Sequence, residues 1–408
     1  MHHPLNSNLY PADLEEWWQT HAERLYKNRD PKHLSKLLAE RAGVLSDAFT
    51  VNRATGFEQY YQTPDDWIVY GNYFFPQTYA RCRFPLAEIV EHRGWKPPTD
   101  RPCKIADLGG GTGAAMIGVV DGLLEQFPQT TFDALLVDNS APALKLFRAL
   151  VRDCRKRSLF KAEIHQGDLA SPLRWKPGKN ARYDIIIASF SLGEAFYGKD
   201  GEKTIGWLDG IMNLLEDNGL LLILEPALKE TSERLEQLRD LVVDDRRWNI
   251  LAPCPHHFHC PLLADGKYWC HEVRSWTVPP MLNRINHHLR RSLWELKFSF
   301  LALAKQAPQP APPESNTLRL LTPIVQGHGR LLFSGCNAAG QHAEYDLLKR
   351  GVSRDTINRL KTIARGDLAT LSELTPLGGK NQFRLCREPY FNSHFTPRQA
   401  ATEPPHAT

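Results

Sequence analysis

Apolar residues recur along this chain with two periods, and the chain divides where the period changes. Over residues 13–48, Leu34, Leu37, Leu38 and Leu45 fall at helical spacing with charges between them, which predicts helices. Aromatic residues then thicken over 57–84. There Trp67, Tyr70, Tyr73, Phe74, Phe75 and Tyr79 read as a helical cap packed on the downstream domain, ahead of the alternative of a base-stacking surface. Lys96, Pro97, Pro98, Thr99, Asp100, Arg101 and Pro102 form a punctuated linker. From residue 103 to residue 226, strand-like runs at 104–108, 134–137, 164–166, 183–189 and 220–224 alternate with helical stretches. That alternation predicts an α/β domain, a parallel sheet with helices on both faces.

After Pro226 the pattern changes to a charged helix at 229–245 and then to a cluster of Cys and His. Residues 305–316 are rich in Pro and Gln and read as an extended linker. Beyond it, 318–325, 330–335 and 382–386 look like short strands, with a helix around 353–365. The predicted organisation is an N-terminal helical region (1–98), a Rossmann-like domain (99–228), a helix with a Cys-rich metal-binding segment (229–304), a linker (305–317), a small C-terminal β-rich module (318–386) and a disordered tail (387–408) holding Pro397, Pro404 and Pro405.

Composition bounds the function classes only loosely. With 408 residues, 42% of them hydrophobic, the chain can bury more than one core. A formal charge of +4 permits contact with nucleic acid without requiring it. No window approaches the roughly 18 uninterrupted apolar residues of a membrane span, so no membrane role is expected. The start Met1, His2, His3, Pro4, Leu5, Asn6 shows neither a secretory signal nor an organelle presequence, and the expectation is a soluble monomer of a bacterial cytoplasm. The 8 cysteines do not suggest a secreted disulfide scaffold. Cys82, Cys103, Cys154 and Cys386 are scattered and receive no role, whereas Cys254, Cys260 and Cys270 crowd together.

The glycine-rich run Lys104, Ile105, Ala106, Asp107, Leu108, Gly109, Gly110, Gly111, Thr112, Gly113 ends a strand and opens a helix. Gly109 permits the tight turn, Gly111 lets a ligand approach the backbone, and Gly113 lets helix and strand pack closely. A pyrophosphate or a methionine-bearing sulfonium could sit there, and the neighbours discriminate. Asp107 offers a carboxylate suited to an ammonium, Asp138 can accept ribose hydroxyls at the end of the next strand, and Asp168 can meet an adenine amino group after the third. Three carboxylates at three strand ends, without a loop Lys, resemble the class I methyltransferase pattern, which implies S-adenosylmethionine as cofactor. The run after the fourth strand, from Phe190 to Phe196, names no catalytic residue: it lacks an Asn-Pro-Pro-Tyr sequence and a nucleophilic Cys, and Glu194 suits a solvated loop position better than a general base. Methyl transfer is therefore an inference from fold alone.

Thiolates are soft ligands for zinc or iron-sulfur clusters, and Cys254, Cys260 and Cys270 are one short of an all-cysteine site. The fourth ligand is a nearby His (His256, His259 or His271) or the distant Cys336, which follows Gly335 at the end of an apparent strand. Zinc with three Cys and one His competes here with an iron-sulfur cluster, and a non-metal site stays open.

The segment Glu225-Pro226, the cysteine run with Pro261-Leu262 and Trp269-Cys270-His271, the stretch from Trp294 to Phe300, and Gly327 to Cys336 together resemble the methyltransferase-like small-ribosomal-subunit (Rsm-type) family of mitochondria and bacteria. The resemblance runs from Asp65 to Asp367. It implies a four-iron, four-sulfur cluster on Cys254, Cys260, Cys270 and Cys336, and association with the small ribosomal subunit and its rRNA during assembly. It departs at Ala227, where related sequences have Gly, and at Arg365-Gly366-Asp367, where they have a Trp-Gly-Asp type motif. Two functions from different classes remain: an rRNA methyltransferase, or a non-catalytic assembly factor with a structural zinc and a vestigial cofactor pocket. Between His271 and Lys305, the cations Arg274, Arg284, Arg290, Arg291, Lys297 and Lys305, with His287 and His288, would suit rRNA phosphates or an ordinary solvated face.

Overall fold

A computed structural model describes residues 10–50, 63–154, 160–169, 181–195, 201–291, 293–306, 316–350, 352–361, 363–371, 373–379, 381–385 and 391–395. Three helices lead the chain, α1 (Ala12–Tyr26), α2 (Pro31–Thr50) and α3 (Pro64–Arg93). The 30-residue α3 starts where the Thr63 amide donates to the Asp66 carboxylate at 3.2 Å, a reciprocal cap, and stops at Gly94 with φ 67°. The expected aromatic cap lies within this helix, apart from its residues 57–62, which fall outside the described ones.

The first sheet begins with β1 (Cys103–Leu108), α4 (Ala114–Gln126), β2 (Phe132–Asp138), α5 (Ala141–Cys154), β3 (Phe160–Gln166), β4 (Tyr183–Ser189), α6 (Leu192–Ala195), α7 (Gly201–Met212) and β5 (Leu215–Pro226). It continues through α8 (Lys229–Asp245), β6 (Asn249–Ala252), α9 (Pro261–Asp265), β7 (Glu272–Ser275), α10 (Pro280–Leu289) and β8 (Glu295–Ala304). The strand order is β3-β2-β1-β4-β5-β8-β6, with β7 also on β8; β1 to β5 are parallel and β8 runs antiparallel to its neighbours. This is a methyltransferase-like α/β fold. Alternate residues of each central strand enter two cores: Ile105, Ile185 and Leu222 face α3, α4 and α5, while Ala106, Ile186 and Leu221 face α7 and α8. β3 lies at the sheet edge and is largely exposed, which is why only its last residues stood out as apolar.

Residues 229–304 do not form a separate insert. β6, β7 and β8 extend the first sheet, and α10 returns to the N-terminal helices, where the Met281 amide donates to Glu15 at 2.7 Å. The second sheet holds β9 (Thr317–Leu320), β10 (Val325–Gly327), β11 (Arg330–Asn337), β12 (His342–Leu348), then α11 (Arg354–Lys361), β13 (Leu368–Leu371), β14 (Leu374–Pro376), β15 (Gln382–Leu385) and β16 (Phe391–Phe395). β16 pairs with β13, so part of the segment expected to be a disordered tail is a strand. The expected run 318–325 is broken between β9 and β10, and Cys386 falls outside the described residues. Among the described residues no helix is long and apolar enough to cross a membrane.

A buried ion network joins the two sheets. Arg319 on β9 meets Glu88 of α3, Glu272 of β7, and the carbonyls of Pro253 and Gly366; Arg274 meets Glu272 and Asp367. All five charged groups are almost wholly buried. Removing one member of such a network strands an uncompensated charge, so this contact fixes how the sheets dock. The Arg365-Gly366-Asp367 departure thus has a structural part: its carbonyl and carboxylate receive Arg274, and Arg365 reaches the carbonyls of Trp269 and His271.

Candidate functional site

β1 is buried between β2 and β4, and the chain turns sharply where it ends: the amides of Gly109 and Gly110 both donate to the Val137 carbonyl, at 2.8 and 3.2 Å. Gly109 and Gly113 need their lack of a side chain most. With φ 71° and 83°, a Cβ on either would lie 2.5 Å from Ser191 Cβ or 2.3 Å from the Phe147 ring. Gly111, φ 54°, has more room: a Cβ there would be 3.4 Å from the Trp67 ring of α3, which therefore roofs the loop.

Asp107 is fully buried. Its Oδ2 accepts from the Met116 amide at 3.1 Å at the start of α4, and Oδ1 has no hydrogen-bond partner among the described residues. Burial pushes its carboxyl up to about 7, with the nearby Asp138 adding to the rise. Asp138 accepts from the amides of Gly111 and Ser140, both at 2.8 Å, so its carboxylate holds the loop in shape; burial raises its pKa against these bonds. Asp168 is exposed beyond the end of β3. The fold thus gathers Asp107, Gly109, Gly111, Gly113 and Asp138 at the carboxyl ends of β1 and β2, with Asp168 at the rim.

At the end of β4, Phe190 has φ 58°, its amide donates to Leu224 O at 2.8 Å, and Ser191 Oγ donates to the Leu108 carbonyl at 2.9 Å. The Gly193 amide donates to Glu225 at 3.0 Å. The side chain of Glu194 lies outside the described residues. Cys82 of α3 comes within 3.8 Å of Ser189 Oγ, but burial pushes its thiol up to about 12, so it stays protonated and is no nucleophile. Sequence reasoning read Trp67 only as packing and missed α3 as a wall of this site, because nothing local in a helix marks which distant loop it will cover.

The second site is assembled from several segments. Cys254 follows β6, Cys260 caps α9, Cys270 precedes β7, and Cys336 comes from β11 of the second sheet. All four are free and line one cavity. The amide of Cys260 donates to Asp240 at 2.8 Å and that of Cys270 to Glu236 at 2.6 Å, so α8 holds the cysteine loop. Burial, aided by Glu236 and Cys254, pushes the Cys260 thiol up to about 12; burial and the other thiols push Cys270 and Cys336 well above the usual range. Among the described residues no group of three or more His, Cys, Asp or Glu is gathered as a site for one metal ion.

The histidines take different parts. His256 is buried, and Nδ1 accepts from Arg239 and from the Phe258 amide, both at 3.2 Å, so Nε2 carries the proton and donates to Cys336 Sγ at 3.1 Å. Burial and Arg239 lower its pKa to about 4, which keeps it neutral. His259 is exposed and paired with Asp244 at 2.7 Å, while His271 lines the cavity with Nδ1 donating to the Trp269 carbonyl at 3.3 Å. Of the basic run, Arg274 is internal, Arg291 binds Ser46 and Tyr73, and Lys305 caps the Leu215 carbonyl. Arg284, Arg290, His287, His288 and Lys297 are exposed.

The chain is 25% identical over 298 residues to the human (Homo sapiens) mitochondrial ribosome assembly protein METTL17, covering 68% of this chain and 57% of that one; it thus spans little more than half the length of this relative. Among solved structures, a plantazolicin methyltransferase in complex with SAH matches 71% of this chain and all of its own, with 13% identity and a TM-score of 0.33. A putative RNA methyltransferase from Pyrococcus horikoshii matches 56% of this chain and 86% of its own, with 14% identity and a TM-score of 0.31. The family described as "Mitochondrial small ribosomal subunit Rsm22" matches residues 64–368. That description and the human relative are both mitochondrial, which overturns the bacterial cytoplasm expected from the N-terminal residues; a short segment without a signal is weak ground for a compartment. The chain belongs to the mitochondrial small ribosomal subunit Rsm22 family.

Proposed function

We propose that this protein assists assembly of the small ribosomal subunit, binds S-adenosylmethionine at the glycine loop, and holds a four-iron, four-sulfur cluster on Cys254, Cys260, Cys270 and Cys336. Family membership across residues 64–368 carries the ribosomal part. For the cofactor, the donor set fits: Asp107 keeps one carboxylate oxygen without a partner in a buried position, which suits a ligand ammonium, and Gly111 leaves its side-chain space towards Trp67.

For the cluster, four thiols around one cavity match an all-cysteine set. A lone zinc needs its sulfurs drawn in to about 2.3 Å from one point, whereas a cluster spreads them; the described residues, with no group gathered for a single ion, favour the second. His256 spends both nitrogens on Arg239 and Cys336, which supports Cys336 over His256 as the fourth ligand. Arg239 next to Cys254 and the neutral His256 N–H offset thiolate charge. A bound cluster supplies a tie between the two sheets that oxidation can weaken.

A role in assembly is favoured over rRNA methylation because the loop after β4 shows no base, and the nearby Cys82 is held as a thiol. The exposed cations Arg284, Arg290 and Lys297 are offered as phosphate contacts. Sedimentation of ribosomal particles tests the reading. The protein should travel with free small subunits and not with complete ribosomes; recovery only at the top of the gradient, at low and high salt alike, would refute it.

A further inference from the structure

Arg81 stands apart among the buried guanidiniums. Arg83, Arg239, Arg274 and Arg319 each have a carboxylate within ion-pair distance. Arg81, on the same helix as Arg83, has none among the described residues: its guanidinium donates to Gln77 Oε1 at 3.1 Å one helical turn away, and its Nε is buried without a partner. Burial pulls its pKa down to about 10, the signature of a cation that lacks its counter-ion. Leaving a charge so placed is costly unless an anion arrives.

Its position says which anion. The guanidinium lies over the Phe190 ring, 5.2 Å from the centroid, and Phe190 directly follows β4. The next residue, Ser191, is the one that crowds Gly109 at the end of β1. Arg81 therefore stands at the carboxyl ends of β1 and β4, where the strand order reverses and open α/β sheets bind ligands. On the same helix, Trp67 covers Gly111; fourteen residues of helix separate the two side chains, about 21 Å at 1.5 Å per residue, on the scale of an extended nucleoside carrying an amino-acid chain. At one end of that span a carboxylate, Asp107, lacks a partner for one oxygen, and a guanidinium, Arg81, lacks a carboxylate. Opposite charges so arranged suit an α-amino acid zwitterion.

We infer that Arg81 binds the α-carboxylate of the cofactor's amino-acid moiety while Asp107 takes its ammonium. This rests on the reading of the glycine loop as an S-adenosylmethionine site and adds a residue which that reading did not contain. Titration calorimetry on the full chain tests it with S-adenosylhomocysteine and 5′-methylthioadenosine, which shares the nucleoside and thioether but has no amino-acid end. Arg81→Gln should weaken S-adenosylhomocysteine roughly 10- to 100-fold, as loss of a charged hydrogen-bond pair does, and leave methylthioadenosine within about twofold; Arg81→Lys should recover part of the loss. With the unaltered protein, decarboxylated S-adenosylmethionine should bind at least about tenfold more weakly than S-adenosylmethionine. The inference is overturned if Arg81→Gln weakens both ligands equally, if it weakens neither, or if the decarboxylated form binds as well. Should the unaltered chain bind no adenosyl ligand at all, the cofactor reading fails and takes this one with it.

Discussion

Asp107, Gly109, Gly111 and Gly113 reach their site within one strand and the turn after it, whereas Cys254, Cys260, Cys270 and Cys336 meet only after two sheets have docked. In the first case local backbone geometry makes the site: a buried strand end, two amides on Val137 O, and positive φ at three glycines. In the second the loop carrying three cysteines is tied to α8 through Asp240 and Glu236, and the fourth arrives with β11. Arg319 lies next to β11 and binds both Glu88 and Glu272, so the thiol cavity depends on an ion network that the glycine loop does not touch. A local site should fail alone; an assembled one should fail with the docking of its parts.

The largest expected effect is at the local site. Asp107→Ala should abolish binding of S-adenosylhomocysteine by calorimetry while leaving the metal content of the thiol site unchanged; undiminished affinity would remove Asp107 from the ligand site. The counterpart is Arg319→Met, which strands Glu88 and Glu272. Chemical denaturation should show a loss of about 3–5 kcal/mol, as for other broken buried pairs, together with reduced metal retention. A cost below about 1 kcal/mol would mean the network behaves like a surface pair and does not hold the cavity.

A smaller, pH-dependent effect separates the sites further. In the ligand-free protein Asp107 titrates near 7, raised from its ordinary value by burial, so folding favours its protonated form and this contribution to stability fades as pH rises through 7. A ligand ammonium favours the ionised carboxylate instead. Cofactor affinity should therefore fall as pH drops below 7, by at most about tenfold per unit, and Asp107→Asn should flatten that slope. A wild-type slope unaltered in the Asn variant would assign it to another group. The smallest effect is expected from His256→Gln, which removes the N–H donated to Cys336 Sγ: metal stays bound, with a faster loss to chelator. Complete loss of metal in that variant would make His256 a ligand.

The same contrast explains what could be read from the sequence. The glycine loop and the β-α alternation were legible because their geometry is encoded in neighbouring residues, and β1, β2, β4 and β5 fall where apolar runs predict them. β3 was truncated because an edge strand carries Lys161, Glu163 and His165 on its exposed side. β6 and β7 were missed because four-residue strands such as Asn249–Ala252 and Glu272–Ser275 leave too short a pattern. Arg274 read as a surface cation because charge alone does not reveal that Glu272 and Asp367 will enclose it. Spacing placed Cys254, Cys260 and Cys270 together, while nothing between residues 271 and 335 shows in physical terms that Cys336 will fold back; only the family resemblance suggested it. Asp168 stands at the rim, more exposed than its expected contact with adenine would suggest.

The most direct test of the account is the metal content of the full chain purified without oxygen, measured beside Cys336→Ser. The account predicts a brown protein with about four irons and four acid-labile sulfides per chain, lost in the serine variant. A colourless protein carrying one zinc, retained after Cys336→Ser, would contradict it.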